Sequence, residues 1–276
     1  MFAPEFKLAD HTIPSSPRKS LGQHFLVDQG ALNRVVGAAD LELDDTVVEV
    51  GPGSGLLTKL IVKKVSKVYA LELDKGLASH LRNTMGGTSN LIVMQGDART
   101  VDLGLFPESY KMVANLPYYA AVPILRKFLE APSPPGLIVV TVQKEVAESI
   151  TASPGRMRLL SVAVQVFGRP SIVGYIHPGS FNPVPKVTSA IVRIEPYERE
   201  ARPVLGDEGF FKVVRGGFSA PRKQLRNSLA QGLGLSGDLS ESILRESGIE
   251  PTLRAEALHL QDWGKIREIY GRHNLC

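Results

Sequence analysis

The hydrophobic pattern changes character along the chain. From residue 46 onward, short β-branched runs alternate with stretches of helical spacing. TVVEV (46–50), KVYALEL (67–73), LIVMQ (91–95), KMVAN (111–115) and LIVVTV (137–142) are the apolar runs, and GLLTKLIVKKV, KGLASHLRNTM and AAVPILRKFLE lie between them. The runs show little polar alternation, the pattern of strands covered on both faces, so the alternation predicts a parallel sheet with crossover helices. After the helical KEVAESI and RLLSVAVQVFG come SIVGYIH (171–177) and SAIVRIE (189–195), joined by a Pro-rich loop. That link has no room for a crossover helix, so the two runs are expected to pair as an antiparallel hairpin at the sheet edge. From about residue 205 the pattern turns helical through GFFKVVRGGF, RKQLRNSLAQGLG, DLSESILRESG and DWGKIREIYGRH, each amphipathic and most with a Gly near its end.

The fold class that follows is α/β, a Rossmann-like seven-stranded and mostly parallel sheet with an antiparallel edge hairpin, plus a small C-terminal α-helical domain. Composition agrees: 276 residues with 43% hydrophobic and 22% charged describe a folded chain rather than a disordered one. The single cysteine is Cys276, so no intrachain disulfide and no cysteine metal cluster can form, and a cytoplasmic compartment is the expectation. The first twenty residues carry Glu5, Asp10 and prolines where a signal peptide needs an apolar core, and no membrane span is expected. The six histidines, at 11, 24, 80, 177, 259 and 273, show no paired-ligand spacing, so no metal site is expected.

The chemistry is concentrated at strand ends. The first run ends Glu49-Val50-Gly51-Pro52-Gly53-Ser54-Gly55 and passes straight into an apolar helix, the arrangement that lets backbone approach a nucleotide. Leu56 stands where a dinucleotide fingerprint wants its third glycine, which counts against a nicotinamide-dependent oxidoreductase. Glu49 suits a cofactor with a positive charge and an amino group better than a pyrophosphate. The next run ends at Glu72, about twenty residues beyond the glycines, where a carboxylate can accept both ribose hydroxyls. The third ends Gly96-Asp97-Ala98, where Asp97 can accept from an adenine amino group while the neighbouring backbone, Ala98 included, reads the ring. Each of these residues has a plain structural reading as a turn, cap or strand end. Their succession in register resembles class I methyltransferases that use S-adenosyl-L-methionine.

The fourth run leads into Asn115-Leu116-Pro117-Tyr118. An exocyclic adenine amine is a poor nucleophile because its lone pair is delocalised, so a site for it must accept hydrogen bonds from both amine protons. The Asn115 side-chain carbonyl and the Leu116 backbone carbonyl supply two acceptors, Pro117 stiffens the turn, and Tyr118 offers a stacking face worth roughly 1–3 kcal/mol per base. Further on, Phe181-Asn182-Pro183-Val184-Pro185-Lys186-Val187 is a rigid loop whose Phe181 is a candidate to close the other face of a flipped-out base or, alternatively, an apolar anchor.

Ser20-Leu21-Gly22-Gln23-His24-Phe25-Leu26, EVGPGSG, ALELDKGL, QGDA, NLPY, VQKEVAE, FNPVPKV, FSAPRKQLRNSL and RAEALHL follow one another in this order. Together they resemble the ribosomal RNA adenine dimethyltransferase family, which dimethylates two adjacent adenosines near the 3′ end of small-subunit ribosomal RNA. The resemblance implies cofactor contacts from His24, Leu26, Gly51, Gly53, Glu72, Asp97, Ala98 and Asn115, and target-adenine contacts from Asn115, Leu116, Pro117, Tyr118 and Phe181. With the pattern along the chain, the expected division is an N-terminal arm (1–19, expected to be mobile), a cofactor-binding catalytic domain (20–202) and a helical RNA-binding domain (203–276). Tyr119-Ala120-Ala121-Val122 departs from the polar run that the family usually carries after NLPY.

Net charge is only +4, yet residues 209–237 hold Lys212, Arg215, Arg222, Lys223 and Arg226 with no acidic residue. Arg222, Lys223 and Arg226 are read as the RNA-phosphate contacts, whereas Phe210, Phe211 and Phe218 are read as core. The partner expected is small-subunit ribosomal RNA within a pre-ribosomal small subunit, bound by a monomer. The competing readings are a large-subunit rRNA adenine methyltransferase of the antibiotic-resistance type and a non-catalytic RNA-binding assembly factor.

Overall fold

The structure is a computed structural model that describes residues 23–198 and 207–273. The expected arm over 1–19, the Ser20–Gly22 part of the N-terminal motif, the boundary at 202/203 and Cys276 lie outside the described residues.

Seven strands form one sheet: β2 (Thr46–Val50), β3 (Lys67–Glu72), β4 (Leu91–Gln95), β5 (Lys111–Asn115), β6 (Leu137–Gln143), β7 (Gly168–Ile176) and β9 (Ser189–Pro196). Two further two-residue strands, β1 (Phe25–Leu26) and β8 (Phe181–Asn182), pair antiparallel with each other beside it. The order in the large sheet is β4-β3-β2-β5-β6-β9-β7, parallel from β4 to β6. The strand order reverses between β2 and β5, and in open α/β sheets the crevice outside the carboxyl ends at such a reversal is where ligands bind.

The hairpin differs from the expectation in one respect. β9, the second strand of the pair, inserts between β6 and β7 and runs antiparallel to both, so β7 is the edge. Burial explains the exchange. Ala190, Ile191, Val192 and Ile194 of β9 are all buried, as an interior strand requires, whereas β7 alternates exposed with partly buried positions and carries Pro170 and a bulge between Ile172 and Gly174.

Between the strands lie α2 (Leu56–Ile61), α3 (Lys75–Met85), α4 (Ala121–Leu129), α5 (Lys144–Ile150) and α6 (Leu159–Gln165), all where the periodicity placed helices. One helix had been passed over, α1 (Gln29–Ala38). Its signal was present: the Asp28 carboxylate caps the Ala31 N–H at 2.6 Å, and Ala31, Leu32, Val35 and Val36 form the buried stripe. The sheet has a core on each face. Val47, Val113, Val139 and Ile191 pack with α1 and α2, while Val48, Met112, Val140 and Val192 pack with α4, α5 and α6.

The second of these cores continues into α7 (Glu208–Gly217), α8 (Leu225–Leu233), α9 (Gly237–Glu246) and α10 (Leu260–Arg272). Phe211 meets Phe167 at 6.1 Å between ring centres and lies 5.5 Å beneath the Arg126 guanidinium, and Phe218 packs on Trp263 at 5.5 Å. Phe210 and Phe211 are core residues, as read, and Phe218 is partly buried against that core. None of the described helices is long and apolar enough to cross a membrane.

Candidate active site

Where β2 ends, Val50 pairs with Ala114 of β5, so the glycine loop and NLPY leave the sheet side by side. Gly51 and Gly53 take positive φ angles of 70° and 55°, a region costly for any residue with a Cβ. At Gly53 there is a second reason: an added Cβ would stand 2.8 Å from the Phe25 ring. The N-terminal strand β1 therefore packs directly on the glycine loop. The resulting cleft is lined by Gln23, His24, Phe25, Gly51, Gly53, Glu72, Leu73, Leu77 and Asn115 through Tyr119, and a smaller pocket that shares Phe25, Gly51 and Asn115 with it adds Leu26, Glu49 and Ser54.

Two buried carboxylates face this region. Glu72 accepts from the Gly53 N–H at 3.1 Å and the Asp74 N–H at 2.9 Å, and burial raises its pKa against the pull of these two bonds. Glu49 is buried with neither carboxyl oxygen hydrogen-bonded in good geometry among the described residues. Its pKa is pushed up to about 8, chiefly by burial, with nearby Thr58 opposing and the Glu72 charge adding. An ionised group without a partner in such a place is costly, so the site is built for a ligand that brings positive charge or hydrogen-bond donors. A glycine cradle, a carboxylate at the strand end and an unpartnered buried Glu49 fit a cofactor with a ribose diol and an ammonium group.

Asp97 is one strand further out, after β4, and it does not line the cleft. Both of its oxygens are engaged by Arg99, whose Nη2 donates at 2.6 Å and whose Nε donates at 3.0 Å to each. This bond, ahead of a smaller opposing effect of burial, holds the Asp97 carboxyl below its usual range. Arg99 also lies 6.0 Å from the ring centre of Tyr119. Sequence reasoning missed Arg99, although a cation two residues after a strand-end carboxylate was a legible signal. Ala98 is buried beside it.

The NLPY turn is fixed from several sides. Asn115 Nδ2 donates to the His24 carbonyl at 2.9 Å, its Oδ1 accepts from the Thr141 hydroxyl, and the Leu116 N–H donates to the Thr141 carbonyl at 3.3 Å. Pro117 O accepts from the Ala120 N–H at 3.0 Å and closes the turn into α4. Tyr118 shares a hydrogen bond with Ser189 at 2.8 Å, and burial raises its pKa. Its ring stacks on His24, with ring centres 5.5 Å apart and planes at 24°, and His24 Nδ1 meets the Pro183 carbonyl at 2.7 Å. In the Tyr119–Val122 stretch, Ala120 and Ala121 are buried beneath the cleft and provide no side-chain cap for α4, while Tyr119 is half exposed.

Two expectations are corrected by this geometry. Phe181 is 2% exposed and packs in the core with Leu26, Leu32 and Ile176, so its ring has no open face toward the cleft and it acts as the apolar anchor of its loop. In the basic cluster, Arg226 is not free of local compensation: its Nη1 donates to Glu241 at 2.6 Å, across from α8 to α9. The Lys223 ammonium donates to Gln231 at 3.3 Å and is in no ion pair among the described residues, and Arg222 is exposed with no hydrogen bond or ion pair among them.

The chain was compared with known proteins. A family profile described as Ribosomal RNA adenine dimethylase matches residues 15–271. The Ribosomal RNA small subunit methyltransferase A of Dehalococcoides mccartyi is 43% identical over 256 residues, which cover 92% of this chain and 88% of that protein. Among solved structures, a dimethyladenosine transferase from Plasmodium falciparum gives a TM-score of 0.78 at 25% identity, covering 91% of this chain and 98% of that one. The 23S rRNA methyltransferase ErmE gives a TM-score of 0.69 at 28% identity, covering 89% and 98%. With its glycine loop, strand-end carboxylates and NLPY turn gathered at the switch point of the sheet, and with the profile spanning nearly its whole length, the chain belongs to the ribosomal RNA adenine dimethylase family.

Proposed function

We propose that this protein uses S-adenosyl-L-methionine to dimethylate the exocyclic amines of two adjacent adenosines near the 3′ end of small-subunit ribosomal RNA, acting as a monomer on a pre-ribosomal small subunit in the cytoplasm. The observation that carries the reading is the placement of Asn115 beside Gly51, with its amide tied to His24 just before β1 and to Thr141 of β6, at the carboxyl ends of the parallel strands.

The cofactor supplies an electrophilic methyl group when bound. Gly51 and Gly53 would give it close backbone, Glu72 would take its ribose hydroxyls, Glu49 would face its ammonium group, Asp97 and Ala98, one strand beyond the residues that line the cleft, would take its adenine, and His24 and Leu26 would close over it. Asn115 Oδ1 has a second lone pair beyond the one given to Thr141. That lone pair and the Leu116 carbonyl accept from the two protons of the target amine and aim its nitrogen, while Pro117 keeps the turn stiff. Tyr118 offers its ring face to the base, for which the His24 ring must give way. No side chain needs to act as a nucleophile, since orientation of reactants alone contributes about 7–11 kcal/mol. The two methyl groups add to one nitrogen in succession, each step releasing a proton to solvent. Arg222 and Lys223 are the phosphate contacts.

The test is transfer of labelled methyl groups to unmethylated small and large ribosomal subunits, with the product nucleoside identified by mass spectrometry. Dimethyladenosine at adjacent positions of small-subunit RNA is the expected result. Label confined to large-subunit RNA, or none despite cofactor binding, overturns the reading in favour of a resistance-type enzyme or an assembly factor.

A further inference from the structure

We infer that Thr141 is a positioning residue that pins the oxygen end of the Asn115 amide and holds the acceptor pair of the NLPY turn in place. This inference rests on the proposed role of Asn115 and Leu116 toward the target amine. Thr141 lies on β6 directly opposite Asn115 in the parallel register, and it is 1% exposed. Its hydroxyl donates to Asn115 Oδ1, and its backbone carbonyl accepts from the Leu116 N–H at 3.3 Å. One residue therefore holds both residues from which the target amine takes its acceptors.

An asparagine amide has two nearly isosteric ends, one accepting and one donating. Rotated by half a turn, Asn115 would present N–H to an amine that also donates, and the target nitrogen would lose an acceptor. The His24 carbonyl accepts only from the nitrogen end, and the Thr141 hydroxyl is the group that donates to the oxygen end. The acceptor-only His24 carbonyl selects the orientation, and the Thr141 hydroxyl, which can donate or accept, donates to the oxygen end in that orientation and pins it, as an apolar neighbour cannot. Threonine also suits the position mechanically, because its branched Cβ restricts χ1 and belongs in a buried strand.

Thr141→Val keeps the shape and removes the donor, and Thr141→Ser restores the donor with less bulk. Expected for Thr141→Val are a fall in kcat of about 10- to 100-fold, the size of effect that misplacement of a reacting group produces, an unchanged dissociation constant for S-adenosylhomocysteine by calorimetry, and recovery of most of the rate in Thr141→Ser. The Asn115 side-chain amide, followed by ¹⁵N NMR and assigned with Asn115→Ala, is expected to shift in Thr141→Val and not in Thr141→Ser. Should the valine variant fail to fold, Thr141→Ala takes its place under the same criteria. A valine or alanine variant with wild-type kcat, or a serine variant no better than either, overturns the inference while wild-type activity leaves the role of Asn115 standing. Absence of methyl transfer by the wild-type protein on either subunit instead removes the underlying reading.

Discussion

Asn115 Nδ2 donates a 2.9 Å hydrogen bond to the backbone carbonyl of His24, a residue 91 positions earlier in the chain. The residue before the N-terminal strand is thereby fastened to the NLPY turn. Asn115→Ala loses this fastening along with the amine acceptor. Methyl transfer is expected to fall about 100-fold or more, with cofactor binding only partly weakened. Turnover at the wild-type rate would remove Asn115 from the chemistry.

Gly53 is the point at which the Phe25 ring rests on the glycine loop. Gly53→Ala adds a Cβ at φ +55° and against that ring, so it is expected to destabilise the fold by about 1 kcal/mol or more and to weaken cofactor binding about tenfold. Thermal unfolding and calorimetric titration measure the two effects separately. Wild-type values in both would show that Phe25 and the loop move apart at no cost.

Glu49, with its pKa raised to about 8 against an ordinary 4.5, binds a proton more readily folded than unfolded. Its contribution to stability is present in full below the unfolded value and is lost as pH rises toward about 8. A cationic ligand favours the ionised form, so cofactor binding near pH 7 is expected to release a proton. Titration calorimetry in two buffers of different ionisation enthalpy counts that proton. Glu49→Gln is expected to abolish the release and flatten the pH dependence of stability, and equal proton release by both proteins would contradict the assignment.

The Asp97 carboxyl is kept low mainly by its bond to Arg99. Removing the guanidinium in Arg99→Gln lets the Asp97 pKa rise, so loss of cofactor affinity on acidification is expected to begin at a higher pH than in the wild type. Dissociation constants for S-adenosylhomocysteine measured between about pH 7 and 4 report the difference. Identical profiles would place Asp97 outside the cofactor site.

The basic cluster divides along its contacts. Neutralising Arg222 and Lys223 together is expected to weaken RNA binding and to lower the log–log salt slope by about 1.4 to 1.8, the range for two phosphate contacts. Arg226→Gln acts differently, because it breaks the ion pair with Glu241: melting temperature is expected to fall slightly while the salt slope stays near wild type. A drop in slope for Arg226→Gln equal to that of one phosphate contact would return it to the RNA face.

Much of the site is legible in the sequence. The glycines announced a close approach of backbone to a ligand, Glu72 and Asp97 announced strand ends, and NLPY announced a turn with two acceptors, since each of these follows from the chemistry of a few consecutive residues. Phe181 shows where that reasoning stops. A phenylalanine in a Pro-rich loop looks the same whether it stacks on a base or fills a core, and only the packing of β8 against β1 and α1 buries it. Arg226 was misjudged for the same reason, because Glu241 is fifteen residues away and invisible to a count of local charge.

By itself, then, the sequence determined the seven strands of the large sheet, most of the helices, the mostly parallel order and the identity of the residues at the carboxyl ends, because periodicity and backbone preference act over a few residues. Tertiary structure alone decided that β9 lies inside β7, that His24 stacks on Tyr118, that Arg99 holds Asp97, and that Thr141 and His24 grip the two ends of the Asn115 amide. Most of those relationships join residues that only strand order and register bring together, and a hydrogen bond a few ångströms long exists only after the sheet has fixed both of its ends.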